Sequence, residues 1–201
     1  MDDLDKIDAS IAAGAPEQFI LNCLQCCGVS FLDAVGEGCV NIVSFMIERG
    51  ADIHIEDDWP LCFASECGHL EVVIVLLDRG AARDRALRFA SANGHVEVVR
   101  ELLDRGADTD NRSALSSACS NGHLEVVREL LDRGATFEEG FNVPLRTAII
   151  NGRLEVVREL LERIGVENNE YDRETLNIAE RCGHKEIKKL IKEWIEAHEG
   201  V

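Results

Sequence analysis

The block Asn-Gly-His-Leu-Glu-Val-Val-Arg-Glu-Leu-Leu-Asp-Arg-Gly-Ala at residues 121–135 recurs along the chain. Near-copies begin at Cys67, Asn93 and Asn151, and weaker ones at Glu37 and Cys182. A fixed period of this kind constrains the fold more than composition does. Each unit is too small to bury an apolar face alone, so neighbours must stack into one array. Within 113–135, Ala114, Leu115, Ala118 and Cys119 share one face of a short helix. Asn121-Gly122 ends that helix, with Gly122 placed for a left-handed conformation. His123 follows, and a second helix turns Leu124, Val126, Val127, Leu130 and Leu131 inward until Gly134 stops it. The unit is a pair of antiparallel helices, and the chain reads as all-α.

Gly-His between two short helices, Leu-Glu-Val-Val opening the second and Leu-Leu-x-x-Gly-Ala closing it resemble the ankyrin repeat. The resemblance is clear over 28–198 and faint over 4–27. It implies an all-α ankyrin-repeat solenoid of stacked helix-turn-helix pairs, hairpin-like loops, a concave face lined by the first helices, and protein–protein binding. The compact segment from Ala86 to Val99 is most similar to repeats of large DNA viruses and some protists.

The sequence departs from the family in two ways. Thr-Pro-Leu-His at the start of the first helix is replaced by Trp59-Pro60-Leu61-Cys62, Arg85-Ala86-Leu87-Arg88, Ser113-Ala114-Leu115-Ser116 and Val143-Pro144-Leu145-Arg146. The usual Thr–His hydrogen bond is therefore absent from each. The linking glycines Gly38, Gly68, Gly94, Gly122, Gly152 and Gly183 step by 30, 26, 28, 30 and 31 residues, against a family norm of ~33. The shortfall predicts trimmed finger loops, the shortest at 82–85. The expected organisation is one domain over 1–201, with a degenerate N-terminal capping repeat at 1–30. Repeats follow at 31–50, 51–80, 81–106, 107–134 and 135–165, and a C-terminal capping repeat at 166–201.

Charge narrows the partner. Lys and Arg number 21 against 38 Asp and Glu, a net of −17. Binding to phosphate rests on excess Lys and Arg, so nucleic acid and anionic membrane are excluded as partners. A basic protein surface suits this charge, although solubility alone also accounts for it. The acidic start Met1-Asp2-Asp3-Leu4-Asp5 does not read as a secretory leader. No apolar run approaches the ~20 residues needed to span a bilayer. The eight cysteines show no paired spacing and fall mostly at helical core positions. Free, buried thiols in a reducing compartment are expected, in the cytoplasm or nucleus, or the host-cell cytoplasm for a viral chain.

Both ends read as caps. Where interior repeats carry Leu124, Val127 and Leu131, the last copy carries Lys185, Lys188 and Lys192. No repeat follows, so these lysines should face water while Ile187, Leu190, Ile191, Trp194 and Ile195 pack back on the array, Trp194 buried. At the N-terminus Ile7, Ile11, Phe19, Ile20, Leu21 and Leu24 predict two helices about Gly14.

Candidate partner-binding residues lie on the outward positions of the first helices and at loop tips: Trp59, Phe63, Glu66, Arg85, Arg88, Phe89, Asn93, Arg112, Ser120, Asn121, Phe141, Arg146 and Asn151. Trp and Arg are the commonest interface anchors, and Trp59 beside Asp57-Asp58 is the foremost. The alternative is that Trp59 packs on its own repeat and Phe63 and Phe89, which align, are core. On the second helices Arg100-Glu101, Arg128-Glu129 and Arg158-Glu159 predict an ion-pair ladder on a solvated face. Upstream the same two positions become apolar, at Ile74-Val75 and Ser44-Phe45. This apolar outer stripe of Phe45, Ile74 and Val75 should be covered, by residues 1–30 or by a second chain.

His69, His95, His123 and His184 hold one repeated position and read as structural, stacked one per repeat. Cys23-x-x-Cys26-Cys27 lacks a second cysteine pair for zinc. No phosphate loop, Gly-x-Ser-x-Gly or His-Glu-x-x-His is present. The expected function is a protein-interaction module without catalysis, cofactor or metal, as a monomer or weak homodimer. The alternatives are an adaptor or inhibitor recruiting a target to other machinery, such as a ubiquitin ligase, or a self-associating structural protein.

Overall fold

The computed structural model describes residues 3–109, 112–136, 143–164 and 169–198, the side chains of residues 112, 164, 169–173 and 198 not among them. Every regular element among the described residues is a helix, and the helices fall into two compact units. Unit one, Met1–Ala90 with Glu97–Ala107, holds α1 (Asp3–Ala12), α2 (Glu17–Cys27), α3 (Phe31–Gly36), α4 (Val40–Glu48), α5 (Ile55–Cys67), α6 (Leu70–Asp78), most of α7 (Asp84–Asn93) and most of α8 (Val96–Asp104). Unit two, Ser91–Val96 with Asp108–Val201, holds α9 (Arg112–Asn121), α10 (Leu124–Asp132), α11 (Val143–Ile150), α12 (Leu154–Ile164), α13 (Asn169–Cys182) and α14 (Lys185–His198).

Helices pair consecutively, and like packs on like between repeats. In unit one α3 lies on α5 and α4 on α6; in unit two α9 lies on α11 and α10 on α12. The first helices are built on small and aliphatic residues because they are enclosed on two sides. Ala114, Leu115, Ala118 and Cys119 of α9 are all buried, as are Leu61, Cys62 and Ala64 of α5. Burial pushes the Cys119 thiol up to about 12, so it is a small apolar side chain here, not a nucleophile. The second helices bury Val72, Val73 and Leu76 in unit one and Val126, Val127 and Leu130 in unit two. Each such side chain contributes about 1.5–3 kcal/mol.

The repeated Gly-His has a specific task. His69 Nε2 lies 2.7 Å from the Gly36 carbonyl, His123 Nε2 3.0 Å from that of Ala92, and His184 Nε2 3.1 Å from that of Ile150. Each histidine thus bonds the preceding repeat, two residues before that repeat's linking glycine. The imidazole also fills the space a Cβ would take: at Gly38, with φ +73°, an added Cβ would lie 2.5 Å from His69 Nδ1. At Gly122 the next repeat offers Arg153, whose Nε donates to the Ser120 carbonyl at 2.9 Å. A histidine-to-backbone bond between repeats takes the place of the missing Thr–His bond within one.

In the N-terminal pair, Ile7, Ile20 and Leu24 are buried, whereas Phe19 (52% exposed) and Leu21 (37%) are not. Asp8 supplies a cap that α4 lacks locally: it accepts from the Ile42 N–H at 2.9 Å and from Asn41 Nδ2 at 2.7 Å. At the other end α13 packs on α11 and α14 on α12, with Ile187 and Ile191 buried. Lys185 and Lys192 are exposed. Lys188 is half-buried against Glu180, and that pairing holds the Glu180 carboxyl below its usual range. Trp194 is half-buried, not buried, because it lies in the last turns of α14 with no described helix over its outer flank.

All eight cysteines are free, but only Cys39, Cys62 and Cys119 are buried. Cys23 and Cys67 are half-buried, and Cys26, Cys27 and Cys182 exposed, contrary to the expectation of mostly buried thiols. Cys26 and Cys27 stand in the last turn of α2, at the lips of surface grooves and not under a neighbouring helix.

Candidate protein-binding surface

The aromatic residues of α5 and α7 converge in unit one. Trp59 stacks on Phe63, with ring centroids 6.1 Å apart and planes at 8°, and meets the edge of Phe89 at 5.5 Å and 84°. All three rings are half-buried. Phe63 also roofs Gly36 of α3, where an added Cβ would fall 2.5 Å from its ring. The Arg88 guanidinium lies 5.4 Å from the Phe89 centroid, and Arg88 and Arg85 are both exposed. Glu66, half-buried and engaged, closes the far end of α5. Trp59 thus serves its own repeat and its surface at once, since its ring is shared between two first helices.

An unusual turn delivers Trp59 to this place. Glu56, Asp57 and Asp58 all adopt left-handed backbone, with φ of 51°, 56° and 60°, a conformation that costs about 1–2 kcal/mol per non-glycine residue. Arg85 Nη1 donates to the Asp57 carbonyl at 2.9 Å, and His54 Nδ1 lies 2.6 Å from the Asp58 carboxylate. Right-handed helix then begins at Trp59, with buried Pro60 in its first turn. Behind it the Cys62 thiol is pushed up by burial, against the opposing field of Arg85.

Unit two carries polar links at the corresponding positions. Asn121 Nδ2 donates to the Ala92 carbonyl at 2.8 Å, and Asn151 Nδ2 to the Thr147 carbonyl at 2.8 Å and Ser120 Oγ at 3.3 Å. Asn93 is exposed and engaged. Arg146 approaches Glu174 at 3.8 Å, both exposed. Phe141 and the side chain of Arg112 lie outside the described residues. Unit one therefore brings Trp59, Phe63, Arg85, Arg88 and Phe89 into one surface, with Glu66 at the far end of α5, and in unit two Asn121 and Asn151 are spent on bonds between and within repeats.

The model of the family "Ankyrin repeats (3 copies)" matches residues 82–140. Among solved structures, the crystal structure of the human ASB11 ankyrin repeat domain is similar at 23% identity, over 83% of each chain, with a TM-score of 0.71. The chain has the fold of an ankyrin-repeat domain, and its residues 82–140 match the ankyrin-repeat family. No curated protein sequence matches it. Ankyrin repeats are in general protein–protein interaction modules and non-catalytic scaffolds. Among the described residues no group of three His, Cys, Asp or Glu side chains could hold a metal, and no helix is long and apolar enough to cross a membrane.

The outer face of the second helices departs from a merely solvated ladder. Glu159 is only 8% exposed and accepts from Arg128 Nε at 2.8 Å and Arg163 Nε at 3.1 Å. Arg163 reaches back to Asp132 at 2.7 Å. The glutamate column lies in the groove between successive second helices, so its charges staple repeats together. In unit one Phe45 occupies that column, also 8% exposed, under the Arg49 guanidinium 3.5 Å from its ring. Arg49 in turn holds Glu17 of α2 at 2.8 Å. Ile74 and Val75 are half-buried. Reasoning from sequence missed Leu32 and Glu37, which flank Phe63. The signal was available: Glu37 stands where the later repeats place Asn93, Asn121 and Asn151.

Proposed function

We propose that the chain is a protein-interaction module whose partner contacts the first-helix face of unit one, centred on Trp59, Phe63 and Phe89. One observation carries this reading: three large rings hold one another in place, each half-exposed, beside two exposed arginines. Mutual packing supports the rings before any partner arrives, so association need not freeze them. Trp and Arg are also the side chains that dominate measured interface energies. The net charge of −17 supports a basic partner surface. No catalytic step is assigned to the chain, and its free thiols support a reducing compartment such as the cytoplasm. The adaptor and inhibitor readings differ from this one in what the partner does next, not in the surface it meets.

The test is affinity capture from the native lysate, comparing wild type with Trp59→Ala and Phe89→Ala under quantitative mass spectrometry. A partner retained by wild type and depleted at least about tenfold by both variants supports the surface. Equal retention by all three, with unchanged circular dichroism, overturns it. Light scattering on the same samples separates a foreign partner from a second copy of the chain.

A further inference from the structure

Beside the aromatic surface, a groove of about 600 Å³ runs between the end of α2, the start of α1 and the outer side of α3. Its apolar floor is Val29, Leu32 and the Phe63 ring, and its charged side chains are Asp3, Asp33 and Glu37. Among the described residues no Lys, Arg or His lines it. The three carboxylates are not equivalent. Asp3 holds Lys6 at 2.9 Å, and Asp33 is committed to the Ser30 N–H and hydroxyl at 2.8 and 2.6 Å. Glu37 is exposed, and no described cation pairs with it.

Two further features give the groove the same sign. The C-terminal end of α2, at Cys27–Gly28, opens into it, and neither α2 nor α3 has a basic residue in its last turn. The partial negative charge of the α2 end faces the groove, whereas at the α3 end His69 already meets the Gly36 carbonyl. The field extends to the next repeat, where burial and then Glu66 and Glu37 push the Cys67 thiol up. The opposite end of the aromatic row carries Arg88 beside Phe89, and Arg85 faces the Asp57 carboxylate at 3.7 Å. The surface therefore has a negative end at α3, rings in the middle and the exposed Arg88 at α7.

Resting on the protein-binding reading above, we propose that this groove seats an arginine side chain of the partner, its guanidinium beside Glu37 and over the Phe63 ring. The aliphatic stem would lie on Val29 and Leu32. Guanidinium fits better than ammonium because it stacks on an aromatic face and is less strongly hydrated. The exposed Arg88 repels a second cation at the other end, which sets the direction in which a basic segment lies across α3, α5 and α7.

The experiment is selection of a displayed random dodecapeptide library on the immobilised full chain, run in parallel on wild type, Glu37→Lys and Arg88→Glu. Glu37 is the exposed residue ending α3, so a lysine there is compatible with the helix, and circular dichroism checks that each variant is folded. Expected are wild-type sequences enriched in arginine next to an aromatic or aliphatic residue. A synthetic peptide of the leading sequence should bind Glu37→Lys about tenfold more weakly and Arg88→Glu no more weakly than wild type. Enriched peptides lacking arginine, or an arginine peptide indifferent to Glu37→Lys, overturn the cation seat and leave the binding surface standing. Failure of any sequence to enrich overturns both.

Discussion

The two units use one backbone plan with different adhesives. In unit two the groove between second helices is ionic, with Glu159 holding Arg128 and Arg163, and the first-helix side is laced by Asn121, Asn151 and Arg153. In unit one the same second-helix column holds Phe45 and Val75 before Glu101 and its partner Arg105 return it to charge, and the first-helix side holds stacked rings. The ionic unit has consumed its polar groups in joining repeats to one another. The aromatic unit leaves its rings half-covered. A repeat needs its core and its glycine turns to fold; what fills the two outer columns is free to be assigned to cohesion in one place and recognition in another.

The largest effects should appear where the units agree. Leu76→Ala in unit one and Leu160→Ala in unit two each empty a fully buried site, and each should cost about 2–5 kcal/mol in denaturant melts. Strongly unequal losses would show that one core collapses around a cavity and the other does not. Next come the column mates. Glu159→Gln should lose about 1–2 kcal/mol, and its penalty should shrink in high salt. Phe45→Leu should lose about 1 kcal/mol with no comparable dependence on salt. Equal salt dependence for the two would erase the distinction drawn here.

Writing the ionic column into unit one sharpens the comparison further. Ile74→Arg with Val75→Glu alters two half-buried side chains, so melting should report a loss under about 1 kcal/mol. A larger loss together with a lower mass by light scattering would place a second chain over the stripe. Ser65 has a buried hydroxyl without a hydrogen-bond partner. Ser65→Ala should therefore be neutral or stabilising by up to about 1 kcal/mol. The smallest effect concerns Asp33, whose carboxyl the Ser30 hydroxyl and N–H hold below the usual range. Its folded pKa is depressed, so its contribution is present above the unfolded value of ~3.9 and drains as pH falls through the folded value. Wild type and Asp33→Asn should differ near neutral pH and converge in strong acid.

What could be read from the residues was what local spacing determines. The helix pairs, the glycine stops and the buried Ala114–Cys119 face follow from periodicity within a dozen residues. Aligning the repeats paired Phe63 with Phe89, whereas the packing of Trp59 against both is set by how α5 and α7 meet. Interactions set by distance along the chain were hidden. Asp8 caps a helix more than thirty residues away, and Glu159 answers to Arg128 one repeat earlier. The left-handed run Glu56–Asp58 has no local signature, since none of its residues is glycine or asparagine and its support comes partly from Arg85 in the next repeat. The exposure of Cys26, Cys27 and part of Trp194 depends on where packing ends, which a repeat pattern does not encode.

The joint between histidine and glycine carries a consequence for how such a chain can be lengthened or edited. His69, His123, Arg153 and His184 are plugs at the start of their repeats, and the Gly36, Ala92, Ser120 and Ile150 carbonyls are the sockets near the end of the preceding first helices. A cassette cut from one linking glycine to the residue before the next, such as 122–151, begins with the plug His123 and ends just past the socket carbonyl of Ile150. A second copy inserted in tandem would set its His123 against the Ser120 carbonyl and Arg153 against the Ile150 carbonyl, new pairings of plugs and sockets that the chain already uses. A cut placed elsewhere would split a plug from its repeat. Arg153, which fits the socket at Ser120 by a longer side chain, shows that the socket accepts a second key, so cassettes of different origin are able to share one grammar of joining.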